Sequence, residues 1–337
     1  MSIVADPVPV FLCVDVEPDE RHAEPAHADS LRGVEAMFEH LEGLRPRLAA
    51  ASGDPVRFLW FVRCDPQIAD VYGAAGHLLT RYAGTFERLR AAGDGIGLHV
   101  HPWHRADGGE WIADYGGTAW IEECTEVSFA TYREHFGTAC ELHRFGDRWF
   151  GPDALPLLER LGVRFDLSIE PGAPGVRALA PGEASAGSIP DYVRAPRVPY
   201  RPSRTDFLRP DSEGGRGLWE IPLSSHDPSS ALPLYRRVRR KVRRPFRPPH
   251  RPLPMFERWT SPQAFWDLVE RHVDSLERPY LAFAIRSGNP DAPDESRVRT
   301  VLDHLLEHRL VSRLSFTHPE DGLRRMGYEL ESAPAGA

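Results

Sequence analysis

A chain of 337 residues, 41 % of them hydrophobic, is long and apolar enough for one large α/β domain or two smaller ones. Its formal net charge of −8 argues against a nucleic-acid-binding protein, which would be basic overall. No apolar run approaches the roughly 20 residues of a membrane span. The segment MSIVADPVPVFLCVDVE lacks the basic region and cleavage site of a signal peptide. Four cysteines without CxxC spacing are typical of free thiols in a reducing compartment, so we expect a cytoplasmic protein.

Short apolar runs alternate with helical periodicity along the chain. Strands are predicted at PVFLCVDV (9–16), VRFLWFVR (56–63), GIGLHV (95–100), CELHRF (140–145), VRFDLSI (163–169), GLWEIPL (217–223), YLAFAI (280–285) and SRLSFT (312–317). Helices are predicted over 75–92, with Gly93 ending the pattern, and from near Pro152, Ser261 and Asp294. This alternation predicts a mainly parallel sheet with outer helices, open or closed into a barrel, and a site at the carboxyl ends of the strands.

Two stretches rich in proline, glycine, serine and arginine, 171–217 and 227–255, are predicted to be long loops. The second contains RRVRRKVRRPFRPPHR (236–251), which carries nine Arg or Lys and no acid. It is either a solvated insertion or a contact for phosphates, anionic lipid headgroups or an acidic partner.

The first strand ends in acids. Asp15 and Glu17 share one face of it because side chains two apart on a strand point the same way. Carboxylates that close together repel unless a cation lies between them. Asp19 and Glu20 are instead typical of exposed loop acids.

Three histidines fall in GIGLHVHPWHR (95–105). His99 and His101 are predicted to share a face at a strand end, whereas His104 follows the Pro–Trp turn. Two imidazoles beside a carboxylate offer the N,N,O ligation that suits zinc or another divalent transition metal. The sequence therefore predicts a metal site.

Two further polar clusters follow strands. HRFGDRWFGPD contains Arg144, which could clamp a carboxylate or orient a catalytic acid. LWEIPLSSHD ends a strand with Glu220 and then brings His226.

With these motifs in order, the sequence resembles the polysaccharide deacetylase family, the NodB-homology enzymes of carbohydrate esterase family 4. The resembling segments are CVDVEPDE, GDGIGLHVHPW, RFGDRWFGPDALPLLERLGVRFDLSI, LWEIPLS, YLAFAI and SRLSFTHPEDGL. The resemblance implies a distorted (β/α) barrel, with mainly parallel strands and outer helices, in a single catalytic domain over 1–337. It also implies a divalent metal held by one carboxylate and two histidines, and hydrolysis of an N-acyl or O-acyl group on a sugar.

The resemblance gives roles to individual residues. Asp15 matches the family's catalytic aspartate, His99 its first metal histidine, and Arg144 the arginine that orients the base. The family has two adjacent aspartates, whereas here Val16 intervenes and Glu17 is the next acid. We take Glu17 as the carboxylate ligand and Asp15 as the base.

Two departures from the family pattern bear on the site. The second histidine of the family lies four residues after the first, where this chain has Trp103, between His101 and His104. We favour His101 because it shares a strand face with His99. The family's late histidine acid is absent, since LAFAIRSGNP has Arg286 and Ser287 there. That role falls to His226, His318 or Arg286, and we assign it to His226.

The expected activity is therefore a metal-dependent hydrolase that removes an acyl group, N-acetyl first, from a sugar or a sugar-containing biosynthetic intermediate, with Zn²⁺ as the expected ion. The expected partner is a small-molecule or glycan substrate, including phosphate- or lipid-linked forms, and no nucleic acid. Two alternatives stay open: C–N hydrolysis of a small non-sugar amide, which the missing acid histidine motivates, and a catalytically inactive carbohydrate-binding homologue.

Overall fold

The computed structural model describes residues 7–24, 31–177, 183–211, 216–227, 250–253, 261–289, 291 and 293–330. The strands are β1 (Val8–Val16), β2 (Leu59–Val62), β3 (Gly95–Val100), β4 (Trp103–Arg105), β5 (Trp111–Asp114), β6 (Leu142–Phe145), β7 (Phe165–Asp166), β8 (Ser185–Ala186), β9 (Trp219–Glu220), β10 (Ser225–His226), β11 (Arg251–Pro252), β12 (Leu281–Arg286) and β13 (Leu314–Phe316). The helices are α1 (Arg32–Ser52), α2 (Pro66–Tyr72), α3 (His77–Arg81), α4 (Ala83–Ala91), α5 (Thr118–Phe136), α6 (Ala154–Arg160), α7 (Pro262–Asp274), α8 (Pro293–Leu305) and α9 (Pro319–Arg325). Short 3₁₀ turns cover Gly146–Arg148 and Arg309–Arg313.

The main sheet is parallel and curls into a half-barrel. Its order is β12–β1–β2–β3–β6–β7–β9, and β13 pairs with β1 beside this path. Past the end of β9, the Ser224 N–H donates to the Ala282 carbonyl of β12 at 2.9 Å, so the two edges of the sheet approach each other again. The predicted fold class, an α/β curled barrel of mainly parallel strands with outer helices, is confirmed.

The two faces of the sheet bury different sets of residues. Inside the barrel lie Phe11, Cys13, Leu59, Phe61, Leu142, Phe165, Leu167, Trp219, Ile221 and Ala282. The outward-pointing residues of the same strands pack on the helices, including Leu12, Val14, Trp60, Val62, Leu98 and Phe145. Since both faces are buried, the strands β1, β2 and β12 read as nearly continuous apolar runs, which is why they could be predicted.

Helix starts follow local capping chemistry. The Ser261 hydroxyl accepts the Ala264 N–H at the start of α7, with proline in the first turn, and the Asp65 carboxylate caps α2 in the same way. The helix predicted over 75–92 is instead two helices, α3 and α4, separated at Tyr82, although Gly93 does follow the second.

The predicted loop 171–217 contains β8, which pairs with β5 to extend the small β4–β5 sheet. The predicted insertion 227–255, and with it nearly all of the basic run 236–251, lies outside the described residues apart from 227 and 250–253. The four cysteines are buried and free. None of the helices in the described part of the chain combines the length and apolar character that crossing a membrane requires.

Candidate metal centre

The centre lies inside the barrel at the carboxyl ends of its strands. Asp15 continues the inward-facing row of β1, and Glu17 follows two residues later. His99 belongs to β3, and His101 follows that strand. Because side chains alternate along a strand, each pair spaced by two residues points to the same face.

Glu17, His99 and His101 form one buried group of metal-ligand type, with ligand atoms that all lie within 4.8 Å of one another. The two histidine Nε2 atoms are 3.0 Å apart. Glu17 Oε2 lies 3.5 Å from His101 Nε2 and 4.0 Å from His99 Nε2. A carboxylate oxygen and two imidazole nitrogens therefore converge on a single point.

The far nitrogen of each imidazole has its own partner. His99 Nδ1 lies 3.2 Å from the Arg144 carbonyl oxygen, and His101 Nδ1 lies 3.4 Å from Asp147 Oδ2. Trp103 Nε1 lies 3.1 Å from His101 Nδ1 and 2.8 Å from Asp147 Oδ2, and we assign its proton to the carboxylate, which is nearer and charged. Both rings then carry hydrogen on Nδ1 and present the lone pair of Nε2 to the centre.

Asp147 connects His101 to the surrounding structure. Its Oδ2 also accepts the Tyr115 hydroxyl at 2.8 Å, and its Oδ1 pairs with Arg21 Nη1 at 2.8 Å. These donors and the His101 ring hold the pKa of the Asp147 carboxyl below its usual range in spite of the opposing effect of burial. The carboxylate is therefore ionised and fixed against His101.

The backbone next to Asp147 is unusual. Asp147 and Arg148 have φ of 55° and 57°, the left-handed region that side-chain-bearing residues seldom occupy. At Gly146, the residue before them, a Cβ atom would collide with the His101 ring, so glycine alone leaves room for the imidazole. Strained residues of this kind persist where the surrounding contacts hold them, and they cluster at functional sites.

Asp15 stands beside the group, paired with an arginine. Arg144 Nε lies 3.0 and 3.1 Å from the two Asp15 oxygens, while Arg144 Nη1 donates to the Leu167 carbonyl at 3.0 Å. Burial raises the pKa of Asp15 to about 6, against the opposing effect of Arg144. A carboxyl group with such a pKa can exchange a proton near neutral pH.

Glu17 is oriented by its backbone and by a cation. Its N–H donates to the Ser287 hydroxyl at 3.0 Å, and its Oε1 lies 3.1 Å from Arg286 Nε. Burial alone would raise the pKa of Glu17, but Arg286, His101 and His99 together hold it well below the ordinary value. Glu17 therefore stays a carboxylate, with Oε1 toward the arginine and Oε2 toward the histidines.

Two other sequence-predicted histidines, His104 and His226, lie on strands outside the main sheet. His104, on β4, has Nε2 3.6 Å from Asp114 Oδ2 on β5, so the histidine that joins Glu17 and His99 is His101. His226 lies on β10, paired with Arg251 of β11, and burial lowers its pKa. Its assignment as a proton donor stays a prediction.

Several residues of the centre were not predicted from the sequence: Arg21, Arg63, Asp65 and Tyr115. Arg63 makes a two-point ion pair with Asp65, whose Oδ2 accepts the His101 backbone N–H at 3.3 Å. Arg63 is the last residue of the predicted strand 56–63 and directly follows β2, which pairs with the acid-bearing β1, and this position was the available signal.

A second buried polar cluster lies on the outward face of the sheet. His143 Nδ1 is 2.6 Å from Asp166 Oδ2, and the Ile169 N–H donates to Glu220 Oε1 at 3.2 Å. Burial and the neighbouring Asp166 raise the pKa of Glu220 well above its ordinary value. Because His143 alternates with Arg144, it faces away from the centre.

The chemistry of the donor set fits a divalent transition metal. Two Nε2 lone pairs and an ionised carboxylate oxygen face one another, an arrangement that is repulsive unless a proton or a cation lies between them. Burial and the neighbouring His101 lower the pKa of His99 well below its usual value, whereas Asp147 and Glu17 raise the pKa of His101 against the opposing effect of burial. Two histidines and one carboxylate are a recurrent catalytic zinc set that leaves a coordination position open.

Comparisons with known proteins assign no family. No family model matches the sequence, and no curated protein matches it significantly. Among solved structures, a Mycobacterium smegmatis protein provisionally described as a polysaccharide deacetylase is similar over 99 % of this chain and 98 % of its own, at 13 % identity and a TM-score of 0.48.

Two other solved structures are similar at the same level. A 4-alpha-glucanotransferase from Thermococcus litoralis covers 94 % of this chain with 38 % of its own, at 12 % identity and a TM-score of 0.48. A GH57 branching enzyme from Thermococcus kodakaraensis covers 96 % of this chain with 72 % of its own, at 11 % identity and a TM-score of 0.45. These values are too low to assign an activity to the chain.

Proposed function

We propose that this protein is a metal-dependent hydrolase that removes an acyl group, N-acetyl foremost, from a sugar or a sugar-containing biosynthetic intermediate. The observation that carries the proposal is the convergence of Glu17 Oε2, His99 Nε2 and His101 Nε2 on one buried point. The N,N,O set favours Zn²⁺ as the ion.

The outer atoms of the three ligands support this assignment. Arg286 lies against Glu17 Oε1, the Arg144 carbonyl against His99 Nδ1, and Asp147 against His101 Nδ1. Groups of this kind fix the tautomer and direction of metal ligands, and they are expected of a metal site rather than of a chance polar cluster. A metal held here would supply Lewis-acid polarisation of the acyl carbonyl and acidification of water.

Asp15 is the proposed base. Its carboxylate is buried next to the ligand group, with Oδ1 3.8 Å from His99 Nδ1, and is held in place by Arg144. A pKa of about 6 leaves it mostly ionised at neutral pH, able to take a proton from water as the carbonyl is attacked. Arg144 is a positioning residue for this base.

His226 is the proposed proton donor to the departing amine. If it has that role, His226→Ala slows cleavage of an amide far more than cleavage of an ester with a good leaving group, which needs no acid. Equal slowing of both reactions would remove His226 from the mechanism.

The function is tested by incubating metal-loaded protein with a panel of N-acetylated sugars, O-acetylated sugars and small non-sugar amides, with mass spectrometry of the products. We expect deacylated sugar from the loaded wild type and none from Asp15→Asn carrying the same metal. If only the small amides are hydrolysed, the substrate in the proposal changes from a sugar to a small non-sugar amide. Binding of sugars without product from any member would contradict hydrolysis.

A further inference from the structure

Among the residues named for the centre, the most exposed side chain is that of a cation, Arg286. The Arg286 side chain is 36 % exposed, whereas those of Asp15, Glu17, His99 and His101 are 3–10 % exposed. Arg286 Nη2 donates to the Pro18 carbonyl at 3.1 Å, and Nε faces Glu17. A guanidinium carries five N–H groups in a planar fork, so these two contacts leave further donors available.

The carboxylates beside the metal ligands already have cationic partners. Arg144 pairs with both oxygens of Asp15, and Arg21 pairs with Asp147 at 2.8 Å. Arg144 offsets the charge of Asp15. Arg21 also pairs with the buried Glu183 carboxylate at 2.7 Å and so offsets only part of the charge of Asp147 and Glu183 together. Glu17 is left as the carboxylate that faces both Arg286 and the ligand position.

Metal binding would change the net charge around Glu17 and Arg286. With the ion absent, the charges of Glu17 and Arg286 cancel. A divalent ion between Glu17 and two neutral imidazoles adds two positive charges, and Arg286 then shares the Glu17 carboxylate with that ion. The nearby Asp19 does not restore the balance, since it is engaged by the Gly33 N–H and lies beside Arg32 as well as Arg286. The loaded centre therefore attracts anions.

We infer that Arg286 forms an anion subsite next to the metal, so that the substrate carries a carboxylate or phosphate group close to the acyl group that is removed. This inference rests on the proposed function and names its substrate class, an acidic sugar. An arginine suits both anions because its fork bonds two of their oxygens at once.

The test measures binding rather than turnover. Protein loaded with Co²⁺, with loading verified by its absorption spectrum, is titrated calorimetrically with glucuronate, glucose 6-phosphate and glucose. We expect at least one acidic sugar to bind about tenfold or more tightly than glucose, the order expected for one hydrogen bond between charged groups. The tighter of the two acidic sugars identifies the anion as carboxylate or phosphate.

Variants of Arg286 distinguish anion binding by this side chain from a general attraction of anions to the metal ion. Arg286→Gln, loaded to the same extent, loses most of the preference for acidic sugars, whereas Arg286→Lys keeps a larger part of it because the charge remains. Arg105→Gln is the matched control, since Arg105 is 29 % exposed and pairs with Glu24 and Asp70. Arg105→Gln should show the same preference for acidic sugars as the wild type.

Two results would overturn the inference: equal binding of all three sugars by loaded wild type, or an undiminished preference in Arg286→Gln. Protein that takes up no metal removes the premise and refutes the proposed function together with the subsite. A loaded protein that prefers acidic sugars but deacylates none contradicts the proposed activity alone. Deacylation of neutral sugars without the preference contradicts the subsite alone.

Discussion

Replacing Asp147 with asparagine tests whether the contacts behind His101 belong to a metal centre. The carboxylate faces Trp103 and Tyr115 at 2.8 Å, Arg21 at 2.8 Å and the His101 ring at 3.4 Å. Asparagine has nearly the same shape and keeps one acceptor oxygen, but it loses the charge that holds the Nδ1 proton of the ring.

Removing a group that orients a metal ligand weakens metal affinity about 10- to 100-fold, or about 1.4–2.8 kcal/mol. We expect Asp147→Asn to lose Co²⁺ or Zn²⁺ affinity within this range. The assay is a metal titration in competition with a chromophoric chelator. The Co²⁺ absorption spectrum reports any change in ligand geometry, which a purely structural role of Asp147 would not produce.

Asp114→Asn is the control for this substitution. Asp114 also lies near a histidine, His104, at 3.6 Å, and accepts the N–H groups of Gly116 and Gly117 in a turn. It should leave metal affinity unchanged. Urea unfolding of both metal-free variants separates a folding defect from a defect in metal binding, because bound metal itself stabilises the native state. Equal affinities in the two variants, with both folded, would refute the role of Asp147.

Two further predictions concern the metal centre, and a third concerns the buried cluster around Glu220. His101→Ala loses the metal and His104→Ala retains it, as measured by elemental analysis; the reverse result would move the second ligand to His104. Gly146→Ala displaces the His101 ring and lowers metal affinity about tenfold or more, whereas wild-type affinity would show that the ring has room to move. The raised pKa of Glu220 keeps a proton on the folded protein that the unfolded chain releases above about pH 4.3, so the contribution of Glu220 to the free energy of unfolding falls as the pH rises from there. Glu220→Gln should therefore reduce the loss of stability between pH 5 and 8, measured by urea unfolding. An unchanged dependence on pH would show that Glu220 does not titrate in this way.

The sheet and the ligand pairs could be predicted because they depend on short-range periodicity. His99 and His101, like Asp15 and Glu17, are two residues apart at the ends of apolar strands, so alternation alone directs each pair to one face. Parallel strands then bring their carboxyl ends to one edge. The grouping of Glu17, His99 and His101 follows from these two rules.

The supporting residues could not be predicted because they depend on loops that meet only after folding. Arg21 contacts Glu183, 162 residues later in the chain, and no local pattern encodes that contact. The left-handed backbone at Asp147 and Arg148 is equally hidden, since glycine is the usual sequence signal of positive φ and neither residue is glycine. The separation of α3 from α4 at Tyr82 was missed because apolar residues continue at helical spacing across it.

The most direct test of the central claim is the metal content of purified protein after incubation with zinc or cobalt and removal of excess ion. The arrangement of Glu17, His99 and His101 predicts stoichiometric uptake by the wild type. It predicts only background metal in His99→Ala, whose metal-free stability should match that of the metal-free wild type. A wild-type protein that takes up neither ion would contradict the claim, as would full uptake by His99→Ala.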